Sequence, residues 1–193
     1  MAERWEPGER FAEALAYAVD KHSDQRRKGL DTPYVAHLLG VCGLVIEDGG
    51  SEDEAIAALL HDTAEDQGGE TTLAEIEEKF GPDVRRIVAA CSDTFTMPKP
   101  PWRKRKEDYI SAIPSKRDDE LRVSLADKVH NARSILFDFR SERDQLWERF
   151  RGDQSQVLWY YRALADAFRD RIPGPLVDEL QRVVGELEAT VRA

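Results

Sequence analysis

The chain has 193 residues, enough for one domain with a sizeable core and too few for two of ordinary size. Its net charge of −10 makes polymeric nucleic acid and acidic membranes poor partners, because the summed field repels both. Two cysteines in apolar stretches, no leader-like apolar run in MAERWEPGERF and no stretch of about eighteen apolar residues argue against a disulfide scaffold, a secretory signal and a membrane span. A cytoplasmic protein is therefore expected.

Apolar residues recur at three and four positions throughout, and strand signals are nearly absent, which predicts an all-α fold. A first helix is predicted over residues 9–22, closed by QRRKGLDTP with its glycine and proline. A second follows over residues 34–47. After the DGGSEDE break, Ser51 and Glu54 form a capping box that opens a third, continuing to about Thr63. Thr72 and Glu75 suggest another box for a short helix ending at FGP, and Pro82 starts the next, running to about Phe95. MPKPPW reads as a stiff connector. Beyond it, helices are predicted over residues 103–112, 119–139, 143–150, 154–171 and from Leu176 to the end. The expectation is a single domain over residues 1–193, a bundle of about nine or ten helices, with its motifs within about residues 10–170 and a last helix at about 175–192.

The chemistry concentrates in AALLHDTAED, where His61 and Asp62 lie in an apolar helical stretch with Glu65 and Asp66 one turn on. His37 in TPYVAHLLGV and Asp127 in VSLADKVHNARSI also fall on segments read as core-facing, where an imidazole or carboxylate is expensive to bury alone. Together they form a two-His, two-Asp set. Such a mixed set suits manganese, iron or zinc, whereas calcium would want more oxygens. Four protein donors leave positions open for activating water and polarising a phosphoryl oxygen, so phosphoester hydrolysis with one metal ion is expected. Glu65 and Asp66 would then divide the proton work. His130, three residues after Asp127, is read as either a ligand or a packing residue. His22 is read as a cap or packing group.

Basic residues gather in QRRK at 25–28 and PWRKRK at 101–106, either as solvated helix ends or as counter-charges for a small phosphorylated substrate. Asn131, one turn beyond Asp127, places an amide where it could meet a sugar or phosphate oxygen. WYYR at 159–162 offers a ring for stacking on a base or for the core.

HSDQRRK, TPYVAH, ALLHDTAED and LADKVHNARSI, in that order and spacing, resemble the hydrolase domain of RelA/SpoT homologues and the small alarmone hydrolases, members of the HD-domain superfamily. The resemblance spans roughly residues 10–170. It implies hydrolysis of the 3′-pyrophosphate of ppGpp or a related guanosine or adenosine alarmone with one Mn(II) ion. It also implies metal ligation by His37, His61, Asp62 and Asp127, with Glu65 and Asp66 in the catalytic step. Arg27, Lys28 and Asn131 fall on the family's substrate-contacting positions, with Arg103 and Lys106 near the pyrophosphate and Trp159 near the base. The chain departs from the family in reading DTPYV for GTPYI, His37-Leu38 for His-Pro, and WYYR in the late aromatic helix. No synthetase-like segment occurs within these residues, so degradation without synthesis is expected. Two rival readings keep the fold: a phosphohydrolase of another nucleotide (a nucleoside monophosphate, a deoxynucleotide or the 2′-phosphate of NADPH), and a module that binds an alarmone without cleaving it. Self-association is left open.

Overall fold

The computed structural model describes residues 5–92 and 98–192. These form ten α-helices: α1 Glu9–Lys21, α2 Val35–Glu47, α3 Glu52–Leu60, α4 Thr63–Gln67, α5 Glu70–Phe80, α6 Pro82–Cys91, α7 Trp102–Ala112, α8 Asp118–Glu142, α9 Gln154–Arg171 and α10 Pro175–Arg192. Two 3₁₀ turns, Ile113–Ser115 and Arg143–Arg149, complete them, and no strand longer than an isolated bridge between Arg26 and Pro33 occurs among the described residues. None of the helices is long and apolar enough to cross a membrane. The predicted extension of α6 to Phe95 and the first residue of the MPKPPW connector lie outside the described residues.

Helix α3 is the centre of the bundle. Every residue from Glu54 to Leu60 is buried, as expected of a helix apolar on all faces. It packs against α1, α2, α6 and α8. Its start is the predicted capping box: Ser51 Oγ accepts from the Glu54 amide, and the Glu54 carboxylate accepts from the Ser51 amide at 2.7 Å. Glu54 is itself buried and is satisfied by Arg122 of α8, tying the two helices together. Helix α8 runs past α2, α3, α6 and α10, so its face toward α2 and α3 is where buried polar residues meet.

Three predicted boundaries are corrected. The third helix does not run on to Thr63: its axis breaks at His61-Asp62, and α4 begins afresh at Thr63. The backbone there stays right-handed, and the Asp66 amide still donates to the Asp62 carbonyl at 3.0 Å, so the one-turn stacking of Asp62 and Asp66 persists across the break. The Thr72–Glu75 capping box does not form. Gly68 and Gly69 both take positive φ, which turns the chain tightly enough for α5 to begin at Glu70. Thr72 is then inside the helix, donating to the Gln67 carbonyl at 2.9 Å, and Glu75 reaches Tyr17 and Lys21 at 2.7 Å each. The segment after α8 is a 3₁₀ turn, entered through Arg143 at φ 52, where α8 ends.

Candidate metal centre and catalytic cleft

Three separated segments deliver the predicted set to one point. His37 comes from the first turn of α2, His61 and Asp62 from the break between α3 and α4, and Asp127 from the middle of α8. His37 Nε2 lies 3.2 Å from His61 Nε2, 3.3 Å from Asp127 Oδ1 and 3.5 Å from Asp62 Oδ2. His61 Nε2 lies 3.0 Å from Asp62 Oδ2 and 3.7 Å from Asp127 Oδ1. Donors about 2.0–2.2 Å from a shared ion at tetrahedral or octahedral angles stand about 2.8–3.6 Å apart; His37, His61 and Asp127 form a cluster of about that size, and Asp62 Oδ2 stands beside its two imidazoles. His37, His61 and Asp127 are buried, while Asp62 keeps 26 % of its side chain exposed toward a cleft. Residue types and spacing thus fit a divalent ion.

The electrostatics point the same way. Burial alone would raise the Asp127 carboxyl, but the Lys128 ammonium and the two imidazoles hold it well below its ordinary value. Burial likewise works against ionised Asp62, and His61 and His37 overcome it. His61 is the mirror case: burial disfavours its charge, and Asp62 and Asp127 raise it well above the ordinary imidazole value. A pocket that draws a proton onto a buried imidazole is one that a cation can occupy in the proton's place.

Each donor is held from behind. His61 Nδ1–H donates to the Ala58 carbonyl at 2.8 Å, which leaves Nε2 as the nitrogen that faces the cluster. Tyr34 O–H donates to Asp62 Oδ2 at 2.5 Å, and the Tyr34 ring stacks on His22 with centroids 5.2 Å apart. Lys128 Nζ meets Asp127 Oδ2 at 2.5 Å with only 14 % of its side chain exposed. Asn131 donates to Asp127 Oδ1 and accepts from Arg27 at 2.9 Å. His130 lies against His37, their Nδ1 atoms 2.9 Å apart, while His37 Nε2 faces His61 and Asp127. Burial, then His37 and Arg27, push the His130 imidazole down to about 4, so it is neutral near pH 7.

Residues 14–153 match the family profile of the HD domain. The chain belongs to the HD-domain family. Over 126 residues it is 44 % identical to the guanosine-3′,5′-bis(diphosphate) 3′-pyrophosphohydrolase MESH1 of Xenopus tropicalis, covering 64 % of this chain and 68 % of that one. The Homo sapiens protein of the same name is 40 % identical over the same coverage. An Aquifex aeolicus guanosine-3′,5′-bis(diphosphate) 3′-pyrophosphohydrolase is 33 % identical over 70 % of this chain but only 19 % of its own length. Among solved structures, one described as a metazoan ortholog of SpoT that hydrolyzes ppGpp superposes with a TM-score of 0.77 at 27 % identity, covering 95 % of this chain and 98 % of that one.

In this HD-domain protein two cavities meet at the donor set. A polar cleft of about 260 Å³ is lined by the carboxylates of Asp62, Glu65, Asp66 and Asp127 and by the ammonium groups of Lys106 and Lys128. Glu65 is paired with Lys99 at 2.7 Å, and Asp66 accepts from Gln25 at 2.8 Å. A larger cavity of about 650 Å³ takes in Lys28, His37 and His130, and shares Arg27, Tyr34 and Asn131 with the cleft. Arg103 and Trp159 line neither. The Arg103 guanidinium lies 3.2 Å from the centre of the Trp159 ring and pairs with Glu107 at 2.7 Å, so these two satisfy each other outside the cleft. Of the WYYR run, Tyr160 and Tyr161 are buried, Tyr160 lining the cleft and Tyr161 the larger cavity.

Two site residues escaped the sequence reading. Tyr34 sits inside the TPYVAH segment, but its role depends on Asp62 approaching from another helix. Lys128 carried a usable signal: an ammonium in an apolar helix, next to a ligand, needs a buried partner.

Proposed function

We propose that this protein is a metal-dependent hydrolase that removes the 3′-pyrophosphate from (p)ppGpp or (p)ppApp, with one divalent ion, Mn(II), held by His37, His61, Asp62 and Asp127, the whole chain acting as one domain in the cytoplasm. The observation that carries this is the cluster of His37, His61 and Asp127, with Asp62 Oδ2 within 3.5 Å of both imidazoles, beside an acidic pair and a cavity of nucleotide size. The relatives' activity and the superposition over nearly the whole chain support the same reading.

A divalent ion in this set supplies Lewis acidity, lowering the pKa of water and drawing charge from a phosphoryl oxygen. The chain's own residues do the rest. The nucleoside occupies the larger cavity, with Lys28 beside it, and the diphosphate enters the polar cleft past Arg27 and Asn131, which serve both spaces. Lys106 and Lys128 offset the charge of the departing pyrophosphate. Glu65, steadied by Lys99, takes a proton from the attacking water, and Asp66, which lines the same cleft, returns one to the ribose oxygen. Partial desolvation, with Asp62 and Glu65 nearby, raises the Asp66 carboxyl above its ordinary value, the direction a proton donor needs.

The test is a panel of guanosine and adenosine 3′,5′-polyphosphates, nucleoside monophosphates, deoxynucleotides and NADPH, with Mn(II), scored for pyrophosphate against orthophosphate. Pyrophosphate from the 3′-diphosphates, abolished together with metal binding in Asp62→Ala, is the expected result. Orthophosphate from another nucleotide alone, or binding without product, would replace the proposal.

A further inference from the structure

The two imidazoles of the donor set are oriented by different means. His61 Nδ1 faces the Ala58 carbonyl, a group that can only accept, so a proton is fixed there and Nε2 is the nitrogen turned to the cluster. His37 Nδ1 faces another imidazole, the Nδ1 of His130 at 2.9 Å, with ring centroids 4.8 Å apart and planes at 63°. One proton fits between those nitrogens. Only if His37 carries it is His37 Nε2 left with a lone pair for a cation, and His130 must then hold its own proton on Nε2.

The packing around His130 keeps that ring in place. It rises from α8 one turn after Asp127 and enters between His37 and Gly40, themselves one turn apart on α2. A Cβ on Gly40 would lie 2.3 Å from both Cδ2 and Nε2 of His130, closer than any non-bonded pair allows. The other glycine of the same helix, Gly43, has open space where its Cβ would be. A glycine inside a helix is conformationally unfavourable, so a spatial reason at Gly40 that Gly43 lacks is informative.

We propose that His130 is a positioning residue of the metal centre: its bare Nδ1 accepts the Nδ1–H of His37 and so aims the His37 Nε2 lone pair at the cation, while Gly40 is the vacancy that admits its ring. The inference rests on the metal reading above and adds to it a residue that touches neither metal nor reacting atoms. It also explains why α2 and α8 must approach closely at this level, since the ring bridges a ligand on one helix from a position on the other.

The experiment measures Mn(II) affinity by competition with a chelating indicator, on metal-stripped wild type, His130→Phe, His130→Gln, Gly40→Ala and Gly43→Ala, each checked for helicity and thermal unfolding. Loss of an orienting partner weakens metal binding about 10–100-fold, and this is expected for His130→Phe, which fills the space without accepting, and for Gly40→Ala, which displaces the ring. His130→Gln, whose amide oxygen can accept, should restore binding to within about threefold, and Gly43→Ala should match wild type. Long-range ¹⁵N spectra of the zinc-loaded wild type should find His37 protonated at Nδ1 and His130 at Nε2, a readout independent of any variant's folding. His130→Phe and Gly40→Ala binding Mn(II) as tightly as wild type, or a protonated His130 Nδ1 in the zinc-loaded protein, would overturn the inference while leaving the hydrolase reading intact. A wild type that binds no divalent ion would overturn both.

Discussion

Lys128 presents an opposition that a single substitution exposes. Its ammonium is the counter-charge of Asp127 when no metal is present, at 2.5 Å and with 14 % and 9 % of the two side chains exposed. Breaking a buried pair from one side costs about 3–5 kcal/mol, because the remaining charge is left uncompensated. In Lys128→Met the carboxylate still has the raised His61 imidazole and the Asn131 amide, so the lower end, about 3 kcal/mol, is expected. For a protein of this size that is a fall of roughly 6–12 °C in the Tm of the metal-free form. A dication bound to the other carboxylate oxygen takes over the role of counter-ion and is no longer repelled by the ammonium. Mn(II) affinity should therefore rise about tenfold or more, equivalent to about 1.4 kcal/mol, and saturating Mn(II) should recover much of the lost stability. Thermal unfolding with and without Mn(II), alongside a competition titration, reads both effects. Equal Tm increments on adding Mn(II) to wild type and variant, or a metal-free variant as stable as wild type, would refute the reasoning.

Two further outcomes follow from the cleft. Glu65→Gln keeps the shape of a residue that lines the cleft but holds no donor within the cluster, so Mn(II) affinity should change by no more than a few fold while turnover falls about 10²–10⁴-fold in a pyrophosphate-release assay. Activity within tenfold of wild type would remove Glu65 from the proton step. The pH profile has a worked sign. The raised His61 contributes stability present below its unfolded value of 6.5 and lost as pH climbs through its folded value, whereas the depressed Asp62 and Asp127 contribute stability present above 3.8 and lost as pH falls through theirs. The Tm of the metal-free protein should be greatest between those limits and decline above pH 6.5, and Mn(II) affinity should climb over the same upper range as the ion displaces the proton of His61. A metal-free Tm that rises steadily from pH 6 to 9 would contradict this.

How much was legible in the sequence varied with the range of the interaction. The 3.6-residue periodicity placed every long helix, and the Ser51–Glu54 box, which lies within four residues, occurred as read. The Thr72–Glu75 box uses the same local pattern and failed, because the paired glycines before it start the helix early and Glu75 is drawn to Tyr17 and Lys21 of α1. The break at His61-Asp62 was invisible to periodicity, since both residues keep right-handed dihedrals. Arg103 and Trp159 stood in suggestive runs, yet each found its partner in the other, between α7 and α9, and away from the cleft.

The sequence by itself singled out His37, His61, Asp62 and Asp127 as metal-type side chains, with an acidic pair one turn beyond two of them, because residue type and helical spacing are local properties. Only the tertiary structure decided what stands behind three of the four: Tyr34 on Asp62, Lys128 on Asp127, and His130 on His37 through the gap at Gly40. Those contacts join α2, α8 and the α3–α4 break across 28 to 93 residues of chain, apart from the Lys128 pair, whose neighbours in sequence meet because a buried ammonium needs a counter-charge.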